Sequence, residues 1–273
     1  MAAMKIIGGS TNQNAKKIGW LHNVNLENDV KNFGGEKPTK KVYKDIETLI
    51  CVSKQAKEKV KLFCERNAEV FAVNNPNDTA RIRALANEQI EVKKESFTFV
   101  VVARVDEYQK AFFRLLRVCR RLNEEGLDYS LWIVGDGIDY ERVVERAKEL
   151  KLSNVKFFGK QANPYPYIKN ADMYLCASNF EGFSMVMMEA VILGTPMLST
   201  AVSGADEMLD NGKYGIIVEN SEEGLYNGMK TVLTEPDTYL HVKEMAQLRK
   251  DYLSEDKIMD RVETIIEGRT IND

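Results

Sequence analysis

Two glutamates eight residues apart, Glu181 and Glu189, carry the clearest chemistry in the sequence. An apolar run at 173–177 precedes them and apolar residues at helical spacing follow, so the segment predicts a strand, a tight loop and a helix. Ser184 stands at the expected N-cap. Backbone N–H groups at a helix start attract anionic oxygens, and carboxylates accept hydrogen bonds from vicinal hydroxyls. The segment therefore predicts a site for phosphate and sugar oxygens.

Each of these residues also has a structural explanation when it is taken alone. A glutamate early in a helix usually only complements the helix dipole, and clustered methionines usually fill gaps in a core. The whole pattern is more specific, because Glu-Gly-Phe at 181–183 is followed by Glu189 and by Gly-Thr-Pro at 194–196. It resembles the E-x7-E motif of retaining glycosyltransferases of the GT-B fold, in particular family 4, the glycosyl transferases group 1.

This resemblance implies an α/β fold of GT-B type, with two Rossmann-like domains that contain parallel sheets. It implies transfer of a hexose from a nucleotide-diphosphate sugar, with a UDP-sugar favoured, to a glycan or lipid-linked acceptor with retention of anomeric configuration. Glu189 would hold the ribose hydroxyls and Glu181 would hold the sugar. The backbone after Glu181 would add donor contacts at Gly182, Phe183, Ser184 and Met185.

Two cations follow the predicted strand at 97–103. Arg104 and Lys110 would lie near its carboxyl end, where a guanidinium and an ammonium together can neutralise a diphosphate. Exposed cations in a loop are more often simply solvated. Their Arg-x5-Lys spacing resembles the family's G-R-x5-K-G segment, which implies that both bind the leaving diphosphate. Ala103 and Ala111 stand where that segment has glycine, so the loop can differ in shape but not in charge.

A histidine completes the catalytic set that the resemblance implies. His22 follows a short predicted strand at 17–21, and binding crevices form at such strand ends in α/β units. A lone histidine is more often structural. Family 4 enzymes commonly place a histidine at this point, facing the donor sugar, so the resemblance implies catalytic roles for His22, Arg104, Lys110 and Glu181.

Two glycine-containing turns end later predicted strands. The Gly-x-Gly at 135–137 alone would also fit a dinucleotide-binding protein, but Tyr140 occupies the position of the third glycine and no acidic residue closes the next strand. It resembles the V-G-x-G-P turn of family 4. The turn at 158–161 resembles the family's base-binding turn, with an ordinary strand-to-loop turn as an equal alternative. The donor contacts implied here are Gly135, Gly159, Lys160 and Gln161.

The pattern of elements predicts how these residues are positioned. After residue 95, strand and helix patterns alternate, which predicts a parallel, doubly wound sheet with right-handed crossovers. The predicted strands are 97–103, 129–134, 155–158, 173–177, 196–200 and 214–218. The predicted helices between them are 109–125, 140–151, 164–170, 185–193 and 205–210.

The first part of the chain predicts fewer elements. It predicts strands at 17–21, 48–52 and 69–73, a helix at 54–66 capped by Ser53, and a loop at 32–39. We expect three parts: a partial N-terminal domain with its linker at 1–94, a nucleotide-sugar-binding domain at 95–252, and a C-terminal helix at 253–273 that returns to the first domain by analogy with the fold. The first domain is shorter than the resemblance implies.

Composition limits the class of protein and its partners. Hydrophobic residues make up 44% and charged residues 29% of the chain, as is usual for a globular protein, and no apolar run approaches the length of a membrane span. Four cysteines without metal-ligand spacing predict buried, reduced thiols and a cytoplasmic protein. Residues 1–95 carry 17 Lys and Arg against 12 Asp and Glu, and the rest carry 21 against 29. The basic part predicts solvated helix faces first and peripheral membrane contact second, and the overall acidity argues against nucleic acid.

The sequence offers no metal-binding motif at a strand end and no His/Cys cluster, so we expect no cofactor beyond the donor and metal-independent transfer. Two functional hypotheses remain. The first is a glycosyltransferase. The second is a non-catalytic fragment or subunit that binds a nucleotide sugar and needs another chain to complete the acceptor domain.

Overall fold

A computed structural model describes residues 12, 15–21, 30–32, 34–64 and 69–269. By its contacts this part of the chain divides into two compact units. One unit contains the described residues before Asn77 together with those from Asp256 onwards. The other contains Asn77–Glu255.

Nine strands and twelve helices have both ends within the described residues. The strands are β1 (Ile18–Leu21), β2 (Thr48–Cys51), β3 (Val70–Ala72), β4 (Thr98–Val102), β5 (Ser130–Val134), β6 (Val155–Phe157), β7 (Met173–Cys176), β8 (Met197–Thr200) and β9 (Ile216–Val218). The helices are α1 (Glu36–Lys44), α2 (Lys54–Cys64), α3 (Thr79–Leu85), α4 (Glu107–Lys110), α5 (Phe112–Glu124), α6 (Tyr140–Glu149), α7 (Tyr165–Asn170), α8 (Met185–Leu193), α9 (Ala205–Leu209), α10 (Glu222–Thr234), α11 (Pro236–Arg249) and α12 (Glu255–Ile266).

The first unit is built on a parallel sheet in the order β1-β2-β3, and the three predicted strands are present. Ser53 caps α2 as predicted, since its hydroxyl accepts a hydrogen bond of 3.1 Å from the backbone N–H of Ala56. Tyr43 and Val60 are fully buried in the core of this unit. Lys16 donates a hydrogen bond of 2.9 Å to the carbonyl of Ile265, near the end of α12.

Helix α1 corrects the loop predicted at 32–39. Pro38 lies in the first turn of this helix, where a backbone N–H has no partner within the helix and its loss is tolerated. Glu36 lies at the positive end of α1 and forms an ion pair of 2.9 Å with Lys40 one turn later. The hydroxyl of Thr39 donates a hydrogen bond of 2.6 Å to the carbonyl of Gly35.

The second unit is built on a six-stranded parallel sheet in the order β6-β5-β4-β7-β8-β9. All six strands predicted for this part of the chain are present, with ends within two residues of the prediction. Alternate residues, such as Phe99 and Val101, belong to a buried cluster with α5, α6 and α10. The residues between them therefore face the opposite layer of helices, because successive strand side chains point to opposite faces. The order of the strands reverses direction between β4 and β7.

The predicted single helix at 109–125 is two helices. The chain breaks at Ala111, which is buried and adopts φ 53°, a left-handed conformation that ends α4 and begins α5. Ala111 is one of the alanines that replace glycine in the family's pattern, and glycine adopts this conformation without strain. The Glu107 carboxylate accepts a hydrogen bond of 2.8 Å from the N–H of Phe113 and so caps α5. The break leaves Lys110 at the end of a short helix.

Residues 77–94, which the sequence analysis assigned to the first domain and linker, pack within the second unit. Helix α3 contacts α7 and α8. The Arg83 guanidinium donates to the carbonyl of Ile192 at 3.3 Å, and the Asn163 amide donates to the carbonyl of Leu85 at 3.0 Å. In the part of the chain that the structure describes, no helix is long and apolar enough to cross a membrane. The four cysteines are buried and form no disulfide, as predicted.

Candidate functional site

A cleft lies at the carboxyl edge of the second sheet, next to the point where strand order reverses. Ligands of open α/β sheets bind at this kind of edge because loops from adjacent strands diverge there. The cleft has a volume of about 490 Å³. Four of the residues predicted to bind the donor or its diphosphate line it: Arg104, Gly135, Lys160 and Gln161. Pro164 and Val186 close its other side.

Lys110 and Glu181 form a largely buried ion pair beside this edge. The Lys110 ammonium lies 2.6 Å from Glu181 Oε1, and the two side chains are 16% and 5% exposed. The Ser178 hydroxyl donates to the same oxygen at 2.5 Å. The structure thus brings together two of the predicted catalytic residues, one from the segment after β4 and one from the segment after β7.

Arg104 lies at the end of β4. It is more exposed than Lys110 and Glu181, with 66% of its side chain accessible. Its guanidinium lies 3.3 Å from Asp106 Oδ2 and donates to Gln109 Oε1 at 3.3 Å. The Gln109 amide in turn donates to Glu181 Oε2 at 3.3 Å. Gln109 therefore links the Arg104 guanidinium to the Glu181 carboxylate.

Polar contacts brace the loop that carries Glu181. The backbone N–H of Asn179 donates to the carbonyl of Gln109 at 2.8 Å, and its side chain donates to the carbonyl of Tyr108 at 2.9 Å. On the other side, the Asn220 amide donates to the carbonyl of Asn179 at 2.8 Å, and the Arg114 guanidinium donates to Asn220 at 2.9 Å. Burial lowers the pKa of this guanidinium. These contacts fix the 179–181 loop on the segment that carries Lys110.

The Gly-x-Gly turn packs directly on the segment after β4. Gly135 adopts φ 140°, and a Cβ there would lie 1.9 Å from the carbonyl oxygen of Ala103. A Cβ at Gly137 would lie 2.2 Å from the carbonyl oxygen of Val105. The N–H of Gly135 donates to the carbonyl of Gly159 at 2.8 Å, which links this turn to the predicted base-binding turn. Only glycine fits this close approach of two backbones.

The start of α8 follows the Glu-Gly-Phe loop. Ser184 is its N-cap as predicted, since its hydroxyl accepts a hydrogen bond of 3.4 Å from the N–H of Met187. Gly182 and Met185 are exposed, whereas the ring of Phe183 is buried. That ring packs so closely on Gly204 that a Cβ there would lie 2.9 Å from it. In the turn after β6, the Gln161 amide donates to the carbonyl of Phe158 at 2.6 Å.

Glu189 lies on α8 one turn beyond Val186, a cleft residue. Burial raises the pKa of its carboxyl to about 7, and the Tyr165 hydroxyl, which is within hydrogen-bonding reach, acts against this rise. Burial and the charge of Glu189 raise the pKa of Tyr165. The Tyr165 backbone is held by Asn163, whose Oδ1 accepts from its N–H at 3.2 Å. Glu189 therefore titrates near neutral pH, unlike an ordinary surface carboxylate.

Three residues of the site were not predicted from the sequence, and one predicted residue is not described by the structure. His22 lies outside the described residues. Gln109, Ser178 and Tyr165 contact the predicted residues, but none of the three had a role predicted from the sequence. Ser178 had a usable signal, because a polar residue directly after a buried strand of a parallel sheet lies at the binding edge. Gln109 and Tyr165 had none, because their contacts with Glu181 and Glu189 reach residues distant in sequence.

Comparison with known proteins assigns the family. The sequence model of the glycosyl transferases group 1 matches residues 83–249, which is more than half of the chain. The chain belongs to this family. The family match covers the carboxyl edge of the second sheet and all of the predicted site residues except His22.

Curated relatives include two enzymes of bacterial glycan assembly. The chain is 31% identical over 188 residues, 67% of this chain and 50% of the relative, to the N-acetylgalactosamine-N,N'-diacetylbacillosaminyl-diphospho-undecaprenol 4-alpha-N-acetylgalactosaminyltransferase of Campylobacter jejuni. It is 24% identical over 74% of this chain and 58% of the relative to the lipopolysaccharide core biosynthesis glycosyltransferase LpsE of Rhizobium meliloti. The chain spans about half the length of the curated relatives that it matches.

Solved structures show the same fold. Anabaena HepE in complex with UDP matches with a TM-score of 0.76 and 16% identity, over 92% of this chain and 72% of HepE. Staphylococcus aureus TarM, solved with UDP among its ligands, matches with a TM-score of 0.75 and 15% identity, over 97% of this chain and 53% of TarM. The predicted fold class, α/β of GT-B type with parallel sheets, is confirmed.

Proposed function

We propose that this chain is a retaining, family-4-like glycosyltransferase that takes a hexose from a nucleotide-diphosphate sugar. The observation that carries the proposal is that Lys110 pairs with Glu181 at the carboxyl edge of the sheet, while Gln109 links Arg104 to the same carboxylate. Cations for a diphosphate and a carboxylate for sugar hydroxyls are thereby adjacent, as a sugar diphosphate requires.

Each residue has a role in this proposal. Arg104 and Lys110 bind the diphosphate and stabilise the charge that develops on it as it leaves, and a preorganised cation pair of this kind usually supplies the largest catalytic effect. Glu181 holds hydroxyls of the hexose. Glu189 accepts hydrogen bonds from the ribose hydroxyls. His22, which lies outside the described residues, keeps in this proposal the catalytic role that the resemblance implies.

The reaction breaks the bond between the anomeric carbon and the phosphate oxygen and forms a bond between that carbon and the acceptor oxygen on the same face. In the mechanism attributed to the family, the proton of the acceptor hydroxyl passes to the leaving phosphate. No side chain then needs to act as a base. The chain's own part is to hold the donor and to neutralise the diphosphate, for which we propose no metal and no further cofactor.

The relatives support a narrower choice of substrates. UDP is bound in the HepE and TarM structures, and the Campylobacter relative acts on a diphospho-undecaprenol acceptor. We therefore propose a UDP-sugar as donor and a glycan or lipid-linked acceptor. A cytoplasmic location, with peripheral contact to the membrane through the basic first part of the chain, fits such an acceptor.

Calorimetric titration with UDP and UDP-sugars, together with a donor-hydrolysis assay, tests the proposal. Binding accompanied by slow hydrolysis supports the enzyme, and proton NMR of the released hexose should show the donor's α-anomer first if configuration is retained. Binding with no turnover in the presence of any acceptor favours the alternative, a nucleotide-sugar-binding fragment or subunit that needs another chain. Failure to bind any nucleotide contradicts both.

A further inference from the structure

The side chain of Gln109 lies between two charged groups of the proposed donor site. Its Oε1 accepts a hydrogen bond from the Arg104 guanidinium at 3.3 Å. Its amide nitrogen donates to Glu181 Oε2 at 3.3 Å and to the carbonyl of Phe180 at 3.4 Å. We infer that Gln109 is a positioning residue that sets the place of the diphosphate-binding guanidinium relative to the sugar-binding carboxylate. This inference rests on the proposed function.

The opposite charges of Arg104 and Glu181 favour an amide at position 109. An amide presents an acceptor to the cation and donors to the carboxylate, and only one orientation of the group serves both. A carboxylate here would pair with Arg104 and repel Glu181, while an ammonium would do the reverse. An aliphatic side chain would leave both without this partner.

The backbone around Gln109 is fixed on both sides, so the position of its side chain is defined. Its N–H donates to Asp106 Oδ1 at 3.2 Å, which caps α4. Its carbonyl accepts from the N–H of Asn179 at 2.8 Å. Helix α4 and the loop before Glu181 are therefore held at a constant separation, and the amide spans the gap between them.

The effect of Gln109 should depend on which part of the donor is present. Arg104 is largely exposed and has many rotamers, whereas Glu181 is almost fully buried. Without the amide the guanidinium keeps its contact with Asp106, 3.3 Å away, but loses its link to the Glu181 carboxylate. A nucleoside monophosphate, which in the proposed site relies on the base-binding turn and Glu189, should be insensitive to this loss. A sugar nucleotide, which contacts Arg104 and Glu181 at once, should be the most sensitive.

The test is calorimetric titration of the full chain with UMP, UDP, UDP-glucose and UDP-N-acetylglucosamine, with thermal melting as a check on folding. Wild type is compared with Gln109→Leu and Gln109→Glu. Gln89→Glu, an exposed glutamine after α3, is the control for the added charge. We expect both Gln109 variants to bind UMP as wild type does. Gln109→Leu should lose about tenfold in affinity for the sugar nucleotide and less for UDP, as loss of hydrogen bonds to charged groups predicts.

Gln109→Glu should weaken the binding of UDP more than Gln109→Leu does, because its carboxylate pairs with the guanidinium that the diphosphate needs. Equal losses for UMP and for the sugar nucleotide would show a general structural defect and overturn the inference. Unchanged affinity for the sugar nucleotide in Gln109→Leu would overturn it as well. If wild type binds UMP and UDP while Gln109 has no effect, only this inference fails. If wild type binds no nucleotide, the proposed function fails first.

Discussion

The Lys110 ammonium lies 2.6 Å from Glu181 Oε1, so the cation proposed for the diphosphate and the carboxylate proposed for the sugar neutralise each other. The pair connects the segments that follow β4 and β7, the two strands between which the sheet order reverses. Because both side chains are largely buried, neither charge is compensated by water if its partner is removed. Removal of either partner alone should therefore destabilise the fold as well as change the site.

This arrangement predicts non-additive effects on stability. Lys110→Met and Glu181→Gln should each lower the free energy of unfolding by about 2 kcal/mol, less than for a fully buried pair because Lys110 is partly exposed. The double variant should lose less than the sum of the two. Urea denaturation measures all three. Arg120→Met is the control, since Arg120 and Glu124 are both exposed, and its effect should stay within about 0.5 kcal/mol. Strictly additive losses would contradict a direct interaction between Lys110 and Glu181.

The close packing of the Gly-x-Gly turn predicts that Gly135→Ala is severely destabilising. A Cβ 1.9 Å from a backbone oxygen forces the turn away from β4, so we expect a loss of about 3 kcal/mol or more and loss of nucleotide binding. Gly126→Ala is the control, because Gly126 also has positive φ but a Cβ there meets nothing within 4 Å. Its loss should be about 1 kcal/mol, from backbone conformation alone. Chemical denaturation compares the two, and equal effects would contradict the packing argument.

The pKa of Glu189 predicts how nucleotide affinity depends on pH. A carboxylate accepts hydrogen bonds from hydroxyls best when it is ionised, and burial raises this pKa to about 7. Affinity for UDP should therefore rise about tenfold between pH 6 and pH 8, as the ionised fraction does. Calorimetry across this range measures the effect. In Glu189→Gln the affinity should be low and nearly constant, and a flat profile in wild type would contradict the ribose role of Glu189.

The stability of the fold should change with the ionisation of Glu189 in the opposite direction to UDP affinity: it should fall as pH rises. A folded-state pKa raised above the unfolded value stabilises the fold at pH values below about 4.5, and this contribution is lost as pH rises through about 7. Relative to Glu189→Gln, wild type should therefore lose stability from pH 5 to pH 8. Urea denaturation of both proteins at several pH values checks the sign, and a gain of stability relative to the variant would show that the carboxyl is not desolvated.

Tyr165 is predicted to affect the pH at which Glu189 ionises. Its hydroxyl favours the ionised form of Glu189, so Tyr165→Phe should shift the rise in UDP affinity to higher pH. Tyr167→Phe makes the same chemical change two residues away, where the ring packs against Trp132 and Phe158, and it should leave the profile in place. Equal profiles for Tyr165→Phe and wild type would contradict a contact between Tyr165 and Glu189.

Local patterns were enough to predict much of the fold. Apolar runs predicted every strand of the second sheet, and Ser184 and Ser53 predicted two helix starts, because caps and buried strands depend on neighbouring residues. The loop predicted at 32–39 and the single helix predicted at 109–125 were wrong, since Pro38 is tolerated in a first helical turn and Ala111 adopts a left-handed conformation that is unusual for alanine. The predicted charges of the site came from motifs. The roles of Gln109 and Tyr165 could not be predicted in this way, because the contacts that define them form only when distant segments fold together.

A crystal structure of the full chain with UDP bound is the most direct test of the central claim, that Arg104, Lys110 and the start of α8 form the diphosphate site. We expect the diphosphate at the carboxyl edge between β4 and β7, with Arg104 and Lys110 in hydrogen-bonding contact with its oxygens and the ribose beside Glu189. UDP bound elsewhere, or bound in this cleft with the Lys110–Glu181 pair and Arg104 away from the phosphates, would contradict the claim.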